Sequence, residues 1–261
     1  MKNLLIALLL FLPFLSLAQE TETKEKTRQA YTVHEDRVKP SMVETYESLN
    51  QELVDACKSH NHMDVSWLTA TMSDYRYLYV TPFDKFAEFD NQPWASLREK
   101  MGAEKFDNIF ERMDKCYDQH GSYVIYLHND YSYMPEGITQ MPEGEPYRKY
   151  YYWHFTPDNL DAFMKVAKDF KELYAKKNSK ARFRFYTSGY GVMGNFAMIA
   201  ISAPDEVSFI NRAIENRKLL GEEGKMLMLR ARSLSYKYEE IDGGVRLDMS
   251  YFPEKTASTK K

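Results

Sequence analysis

The spacing of apolar and polar residues follows the same pattern twice along the chain. Stretches with apolar residues at every second position predict strands, and longer stretches with apolar residues at every third or fourth position predict helices. The first series occupies residues 30–136 and the second residues 149–254. Each series predicts the order β-α-β-β-α-α-β. The predicted strands are residues 30–35, 65–71, 75–80 and 122–129 in the first series, and residues 150–155, 182–187, 196–202 and 245–251 in the second.

The predicted helices also follow one order in both series. A long helix over residues 41–59 has its counterpart over residues 159–177. Two further helices follow, separated at Gly102 in the first series and at Gly221 in the second, because glycine disfavours a helix interior. The last helix is predicted from a stripe of apolar residues with helical spacing, namely Leu227, Ala231, Leu234 and Tyr238.

The two series match in sequence as well as in pattern. Residues 130–136 match residues 248–254, and residues 31–34 match residues 151–154, at offsets between 118 and 121 residues. Repeats at one offset are the signature of a duplicated structural unit. We therefore expect two copies of one unit, joined by a Gly-, Pro- and Glu-rich linker at residues 137–148.

The strands are apolar on both faces, which decides how the two units should pack. On the strand over residues 75–80, Tyr77 and Tyr79 face one side while Leu78 and Val80 face the other. Strands that are apolar on both faces are buried on both. The predicted fold class is α+β, with two tandem ferredoxin-like units forming an intramolecular pseudo-dimeric α/β barrel and the helices outside.

The start of the chain has the features of a secretory signal. Residues 1–18 combine a positive charge at Lys2, an apolar run to Leu15 and a small residue at Ala18. The alternative, a membrane anchor, requires roughly 20 apolar residues, which the run lacks. We expect export to the bacterial periplasm or beyond, no membrane span after cleavage, and solvated tails at residues 19–29 and 255–261.

Composition excludes one class of partner and leaves the cysteines open. The net charge is -3 and the charges are mixed along the chain, so we expect no nucleic-acid binding. The chain has 20 Tyr and 15 Phe, which suits strand faces that are buried while their hydroxyls stay hydrogen-bonded. Export favours a disulfide between Cys57 and Cys116. The alternative is two buried free thiols.

The order of elements resembles that of a known superfamily. The matching features are the opening strand at residues 31–35, Lys39 and Pro40 before the first helix, and residues 80–84 at the end of a strand. Each unit is similar to the dimeric α/β-barrel superfamily, which includes NIPSNAP-type domains and antibiotic-biosynthesis monooxygenases. The resemblance implies the barrel fold. It also implies a cofactor-less monooxygenase, a haem-using enzyme, or a member without known activity, and it leaves the cofactor unknown.

His34 and His154 take the same place in the aligned repeats. If Val33 and Trp153 face the helices, both histidines point into the space between the sheets. There they could contact a ligand, hold a haem or metal, or move protons. The alternative is that both are hydrogen-bonded structural residues inherited from one unit.

Further candidates lie on the strands. His128 and Asp130 lie on one face of a strand and could act as an acid–base pair. Tyr152, Tyr77 and Tyr79 could wall a pocket for a flat apolar ligand, with core packing as the alternative. We predict no metal site from the sequence.

These observations support a leading hypothesis and two alternatives. We expect a cell-envelope protein that binds a small apolar or aromatic molecule in a pocket walled by Tyr, Phe and Met. An enzyme of the monooxygenase or haem type should instead place His34 or His154 on the cavity wall. A scaffold for another protein, or a homo-oligomer, should show an exposed apolar patch and no cavity.

Overall fold

The computed structural model describes residues 27–253 and contains eight strands and five α-helices in that range. The predicted signal peptide, and the parts of the predicted tails before residue 27 and after residue 253, lie outside the described residues. The strands are β1 Arg28–Val38, β2 Leu68–Met72, β3 Arg76–Phe83, β4 Tyr117–His128, β5 Tyr147–Phe155, β6 Arg184–Ser188, β7 Asn195–Ala203 and β8 Lys237–Val245. The helices are α1 Val43–Ser59, α2 Ala95–Met101, α3 Ala103–Met113, α4 Leu160–Lys176 and α5 Glu206–Leu234.

All eight strands pair antiparallel in one closed barrel, in the order β1-β3-β2-β8-β5-β7-β6-β4. The first half of the chain supplies β4-β1-β3-β2 and the second half supplies β8-β5-β7-β6. The halves join where β2 pairs with β8 and where β4 pairs with β6. Closure leaves no strand edge unpaired. The predicted α+β barrel with external helices is confirmed.

The barrel has an apolar interior and a second apolar layer beneath the helices. The interior core draws Val33 and Ile125 from the first half and Tyr150 and Met198 from the second. Outside the barrel, α4 and α5 pack on the second half and α1 and α3 on the first. None of the helices in residues 27–253 combines the length and the apolar character that crossing a membrane requires.

The predicted helix breaks are confirmed. Gly102 separates α2 from α3 with a φ of 85°, and Gly221 interrupts α5 with a φ of 57°. Both values lie in the region that glycine adopts at little cost.

The last strand differs from the prediction. It was predicted at residues 245–251 but lies at Lys237–Val245, so Tyr238 belongs to β8 and not to the preceding helix. The apolar stripe continued past the end of α5 because Tyr238 packs on the same helix-facing layer, with its ring 4.2 Å from that of Trp153. Spacing alone cannot separate a helix from a strand that contacts the same core.

Gly243 lies within β8. A Cβ at this position would lie 2.1 Å from the carbonyl oxygen of Thr71 on β2. The glycine therefore allows the close approach of the two strands that joins the halves of the barrel.

The segments that follow β4 and β8 cross to the opposite half of the molecule. Tyr133 and Phe183 exchange two backbone hydrogen bonds of 3.0 and 2.9 Å. Tyr251 and Trp67 do the same at 3.0 and 2.9 Å. These tyrosines occupy the same position in the matching segments 130–136 and 248–254. The two matching segments therefore make the same kind of backbone pairing with the opposite half.

A serine precedes each of these tyrosines and adds a second equivalent contact. Ser132 Oγ accepts the backbone N–H of Phe185 at 2.9 Å, and Ser250 Oγ accepts that of Thr69 at 2.8 Å. Both serines are buried. We call each Ser-Tyr pair, Ser132 with Tyr133 and Ser250 with Tyr251, a clasp.

The two cysteines are free and buried in different core clusters. Cys57 packs with Trp67 and Tyr251, and Cys116 packs with Tyr46. The structure therefore has the alternative of two free thiols and not the disulfide. Burial raises the pKa of the Cys57 thiol to about 12, so the thiolate is scarce at neutral pH.

Candidate functional site

A cavity of about 50 Å³ lies inside the barrel, and both halves of the chain line it. Its wall is mostly apolar, with Leu78 and Ile125 from the first half and Tyr150, Tyr186 and Met198 from the second. One water needs roughly 10–15 Å³ of such volume, so the cavity has room for a few water molecules or for a short organic molecule.

Two buried arginines bring charge to this apolar wall. The arginine residues Arg148 and Arg184 are each 2% exposed. Arg148 Nη2 donates to the carbonyl of Gln140 at 2.8 Å. Arg184 Nη1 donates to the carbonyl of Thr139 at 2.9 Å, and its Nη2 donates to Ser202 Oγ at 2.6 Å. Both guanidinium groups are thus held mainly by oxygens that carry no formal charge.

The linker closes this end of the barrel. Residues 134–146 form no helix or strand, and β5 already begins at Tyr147, inside the predicted linker of residues 137–148. The side chains of this segment are nevertheless specifically placed. Gln140 lines the cavity, accepts the hydroxyl of Tyr186 at 2.6 Å and donates to the hydroxyl of Tyr31 at 3.2 Å. A ligand entering from this side must displace the linker.

The arginine end of the cavity has surplus positive charge. Burial, and then the charge of Arg184, lower the pKa of Arg148 to about 10, and Glu145 opposes this shift. Glu145 Oε1 is itself shared by Arg182 at 3.2 Å and Arg212 at 2.6 Å. Among the described residues, no Asp or Glu lines the cavity.

One arginine donor at this end also remains unpaired. Nε of Arg184 is buried and makes no hydrogen bond. An unpaired buried donor next to surplus positive charge is suited to an anionic group.

Of the five residues predicted to contact a ligand, Tyr152 lines the cavity and the other four do not. His154 lies near the opposite end of the barrel, where its Nε2 pairs with Glu239 Oε1 at 2.8 Å. Tyr77 and Tyr79 face α1, and their hydroxyls donate to Glu47 at 2.7 Å and to Asn50 at 2.5 Å. These two tyrosines belong to the packing beneath the helices.

His34 and His154 do not share a space, contrary to the prediction. Trp153 faces the helices, but Val33 faces the barrel interior. His34 therefore points outward and His154 inward. The two histidines align in sequence but do not take equivalent positions in the fold. In β1, His34 pairs with Tyr79 of β3, whereas in β5, His154 pairs with Phe196 of β7.

His128 also lies away from the cavity, on the helix-facing side of β4. Its Nε2 lies 2.8 Å from Thr187 Oγ1, and its ring meets Phe185 edge-on. Burial and the charge of Arg28 lower the pKa of His128 to about 4, while Asp130 opposes the shift. The histidine is therefore neutral at physiological pH.

The two arginines were missed although the pattern contained a signal for them. Arg148 shares one strand face with Tyr150 and Tyr152, and Arg184 shares one with Tyr186, at a spacing of two. A polar residue on the inner face of an otherwise apolar strand indicates a site within the barrel. That inference requires knowing which face is the inner one.

Comparison with known proteins supports the fold. No protein-family model matches the chain, and the search of curated proteins found no relative. An anthrone oxidase-like protein superimposes with a TM-score of 0.55 at 11% identity, over 84% of this chain and 91% of that chain. A protein named "putative monooxygenase" from Fusobacterium nucleatum gives 0.52 at 13% identity, over 85% and 94%. A mutant chlorite dismutase from Candidatus Nitrospira defluvii gives 0.50 at 6% identity, over 84% and 92%.

These likenesses confirm the predicted resemblance at the level of the barrel fold, and the NIPSNAP part stays a prediction. Identities this low do not transfer an activity. The barrel cavity does not fit a haem, since a volume of about 50 Å³ has room for a few water molecules or a short organic molecule but not for a macrocycle. In the described part of the chain no histidine lines it.

Proposed function

We propose that the protein binds a small organic anion inside the barrel, specifically a short carboxylate with an apolar body. The observation that supports this proposal is the apolar cavity that ends at Arg148 and Arg184. This end has surplus positive charge and an unpaired Nε on Arg184. This deepens the expectation of a small apolar ligand. The cavity volume favours a short chain over an aromatic ring.

The chemistry of binding follows from the two parts of the wall. A carboxylate accepts charge-assisted hydrogen bonds from guanidinium donors, which are about twice as strong as neutral ones. The hydrocarbon body gains about 25 cal/mol for each Å² that it buries against the apolar wall. The carbonyl groups of Thr139 and Gln140 lose their guanidinium partners if the linker is displaced, so binding and linker movement are coupled.

The test is calorimetric titration of the mature protein with acetate, propionate and butyrate, beside the neutral propionamide. We expect the carboxylates to bind and the amide not to. Arg184→Gln should weaken binding at least about tenfold, equivalent to about 1.4 kcal/mol. Arg182→Gln is the matched control, because Arg182 pairs with the exposed Glu136 and with Glu145 and does not line the cavity. Equal binding of amide and acid, or no binding at all, would rule the proposal out.

A second candidate is an enzyme that uses the same barrel, and the named monooxygenase among the similar structures supports it. Such an enzyme needs a proton acceptor at its substrate. The described residues that line the cavity offer arginines, tyrosines and Gln140, but neither a histidine nor a carboxylate. Ligand binding is therefore the better-supported function.

The third candidate is a scaffold or homo-oligomer. Its support is a set of exposed apolar side chains on α5, including Val207, Ile210 and Ile214. Light scattering on purified protein tests the homo-oligomer, because a single monomeric species would exclude self-association at the concentration tested.

Two proposals concern the history and location of the chain. The common strand order of the halves and the paired clasps support an origin by duplication, which makes the barrel a pseudo-dimer within one chain. The features of residues 1–18 support export. Mass analysis of protein from the cell envelope should show a mature N-terminus at Gln19, and an intact residue 1 would contradict cleavage.

A further inference from the structure

Three potential metal ligands converge on the outward face of the β1–β4 pair, away from the barrel cavity. Asp36 on β1 lies directly opposite His120 on β4, and His34 lies directly opposite Ser122. His34 Nε2 is 3.2 Å and His120 Nδ1 is 3.9 Å from Oδ1 of Asp36. One ligand atom from each of the three residues lies within 4.8 Å of the other two.

The Asp36 carboxylate is the unusual member of this cluster. Its side chain is 3% exposed, and the hydroxyl of Tyr46 donates to Oδ2. Oδ1, the oxygen that faces the histidines, makes no hydrogen bond. A buried carboxylate oxygen that accepts no hydrogen bond is costly, and each such atom in a folded protein calls for an explanation. A cation held between Oδ1 and the two imidazoles would bind the lone pair that no hydrogen bond uses.

His34 is oriented for this task. Its Nδ1 lies 3.0 Å from Ser122 Oγ. When Nδ1–H donates to the serine, the lone pair of Nε2 is left free to bind a metal. Metal-binding histidines commonly have such a partner on the second nitrogen, which fixes the tautomer and the ring.

The cluster is open on one side. The side chains of His34 and His120 are 42% and 55% exposed, whereas Asp36 is buried beneath them. An ion can therefore approach the two imidazoles from solvent, and small rotations of their rings would open the way to the buried Oδ1 of Asp36. Positions that the protein does not fill remain accessible to water.

The β5–β8 pair of the second half can be compared with the β1–β4 pair that holds the cluster. There Trp153 of β5 lies opposite Tyr238 of β8, and Tyr151 lies opposite Glu240. The ring of Trp153 is buried beneath the helices, and the ring of Tyr238, which is 38% exposed, lies 4.2 Å from it. Aromatic packing therefore suffices for the barrel, and the His-Asp-His arrangement of the first half is not a demand of the fold.

We propose that His34, Asp36 and His120 form a binding site for a divalent transition-metal ion such as Zn²⁺. Two imidazoles and one carboxylate suit Zn²⁺, Cu²⁺ or Fe²⁺ better than Mg²⁺ or Ca²⁺, which prefer oxygen. Ligands about 2.1 Å from a tetrahedral ion lie roughly 3.4 Å apart, so only small side-chain rotations are needed. The site is independent of the anion site in the barrel.

The test uses mature protein without a histidine tag, titrated with ZnCl₂ in a calorimeter and with CoCl₂ by visible absorption. We expect one ion per chain and a cobalt spectrum of low coordination number. His120→Ala and Asp36→Asn should each weaken Zn²⁺ binding by about 10-fold or more. Ser122→Ala should weaken it less, because serine only orients His34.

Two controls separate this site from casual binding by surface histidines. His60→Ala removes a half-buried histidine at the C-terminal end of α1, and His154→Ala removes one that pairs with a single carboxylate. Both should leave the affinity unchanged. Because His120 is exposed, its alanine variant should stay folded even if Asp36→Asn does not. Absence of stoichiometric binding, or Zn²⁺ affinity that His120→Ala leaves intact, would overturn the proposal.

Discussion

His128 lies where the end of β4 meets β6, with its ring against Tyr131 and Phe185 and its Nε2 on Thr187. The imidazole has one polar partner and an otherwise apolar surround. Burial therefore favours the neutral ring, and the nearby positive charge of Arg28 favours it further. This histidine, although selected from the sequence as an acid–base candidate, is held in one protonation state.

We expect His128 to make stability fall as the solution is acidified. Its pKa in the folded protein is about 4, below the value of about 6.5 in an unfolded chain. As pH falls from 6.5 towards 4, the unfolded chain takes up the proton first, so folding weakens. The full effect is present above pH 6.5. With allowance for partial solvent screening, the loss between pH 7 and pH 5 should be on the order of 1 kcal/mol.

The measurement is urea unfolding of wild type and His128→Gln at both pH values. Glutamine can still reach Thr187 but does not titrate, so the variant should lose part of the pH dependence. An NMR titration of the His128 ring in the native protein gives the pKa directly. A value near 6.5 would contradict the argument.

For single residues, alternation along a strand predicted which side chains are buried. It did not predict which side chains on neighbouring strands contact each other. Tyr152 lines the cavity, and its contact with a ligand stays a prediction. Asp36 and His120 were not connected, because they meet only through the pairing of β1 with β4. No local pattern in the sequence contains that register.

Among the elements, the clasps carry the clearest energetic consequence. Ser132 and Ser250 each satisfy a backbone N–H in the opposite half, and each hydroxyl donates to a backbone carbonyl at 2.7 Å. Removing either hydroxyl leaves a buried N–H without a partner. Such a loss costs about 1–3 kcal/mol.

We therefore expect Ser132→Ala and Ser250→Ala to lower the free energy of unfolding by similar amounts, about 1–3 kcal/mol each. Denaturant unfolding at neutral pH measures both. Ser233→Ala is the control, because that serine is exposed on α5 and donates only to a carbonyl of its own helix. Its effect should stay within about 0.5 kcal/mol. A large effect at one clasp and none at the other would show that the clasps are not equivalent.

Most helices and strands were predicted to within a few residues, because their apolar residues recur at regular spacing. The breaks at Gly102 and Gly221 followed from glycine alone. The last strand was displaced because Tyr238 extends the stripe of α5, and a helix and a strand that cover the same core leave similar apolar spacing. Contact with the barrel, which the spacing does not contain, decided that case.

At the scale of the whole molecule, the halves share one core. The barrel interior mixes side chains from both, β2 pairs with β8, β4 pairs with β6, and each clasp crosses between halves. Neither half has a complete core of its own. We expect them to unfold together.

Tryptophan fluorescence can test this cooperativity, because Trp67 and Trp94 report on the first half and Trp153 on the second. In Trp153→Phe, and separately in the double variant Trp67→Phe with Trp94→Phe, the fluorescence and far-UV circular dichroism transitions should coincide. Comparison within each variant removes the effect of the substitution itself. A fluorescence midpoint that departs from the circular dichroism midpoint in either variant would show that one half unfolds first.

The repeated order of strands and helices, the helix breaks and the burial of both sheet faces could be predicted from the chain alone, because they follow from periodicity and from the properties of individual residues. Together they predicted the α+β barrel. The inward face of β1, the meeting of Arg148 and Arg184 behind the linker, and the position of Asp36 beneath His34 and His120 could be seen only in the folded protein. Those facts depend on strand register and barrel closure, which bring together residues far apart in the chain and leave little trace in local spacing.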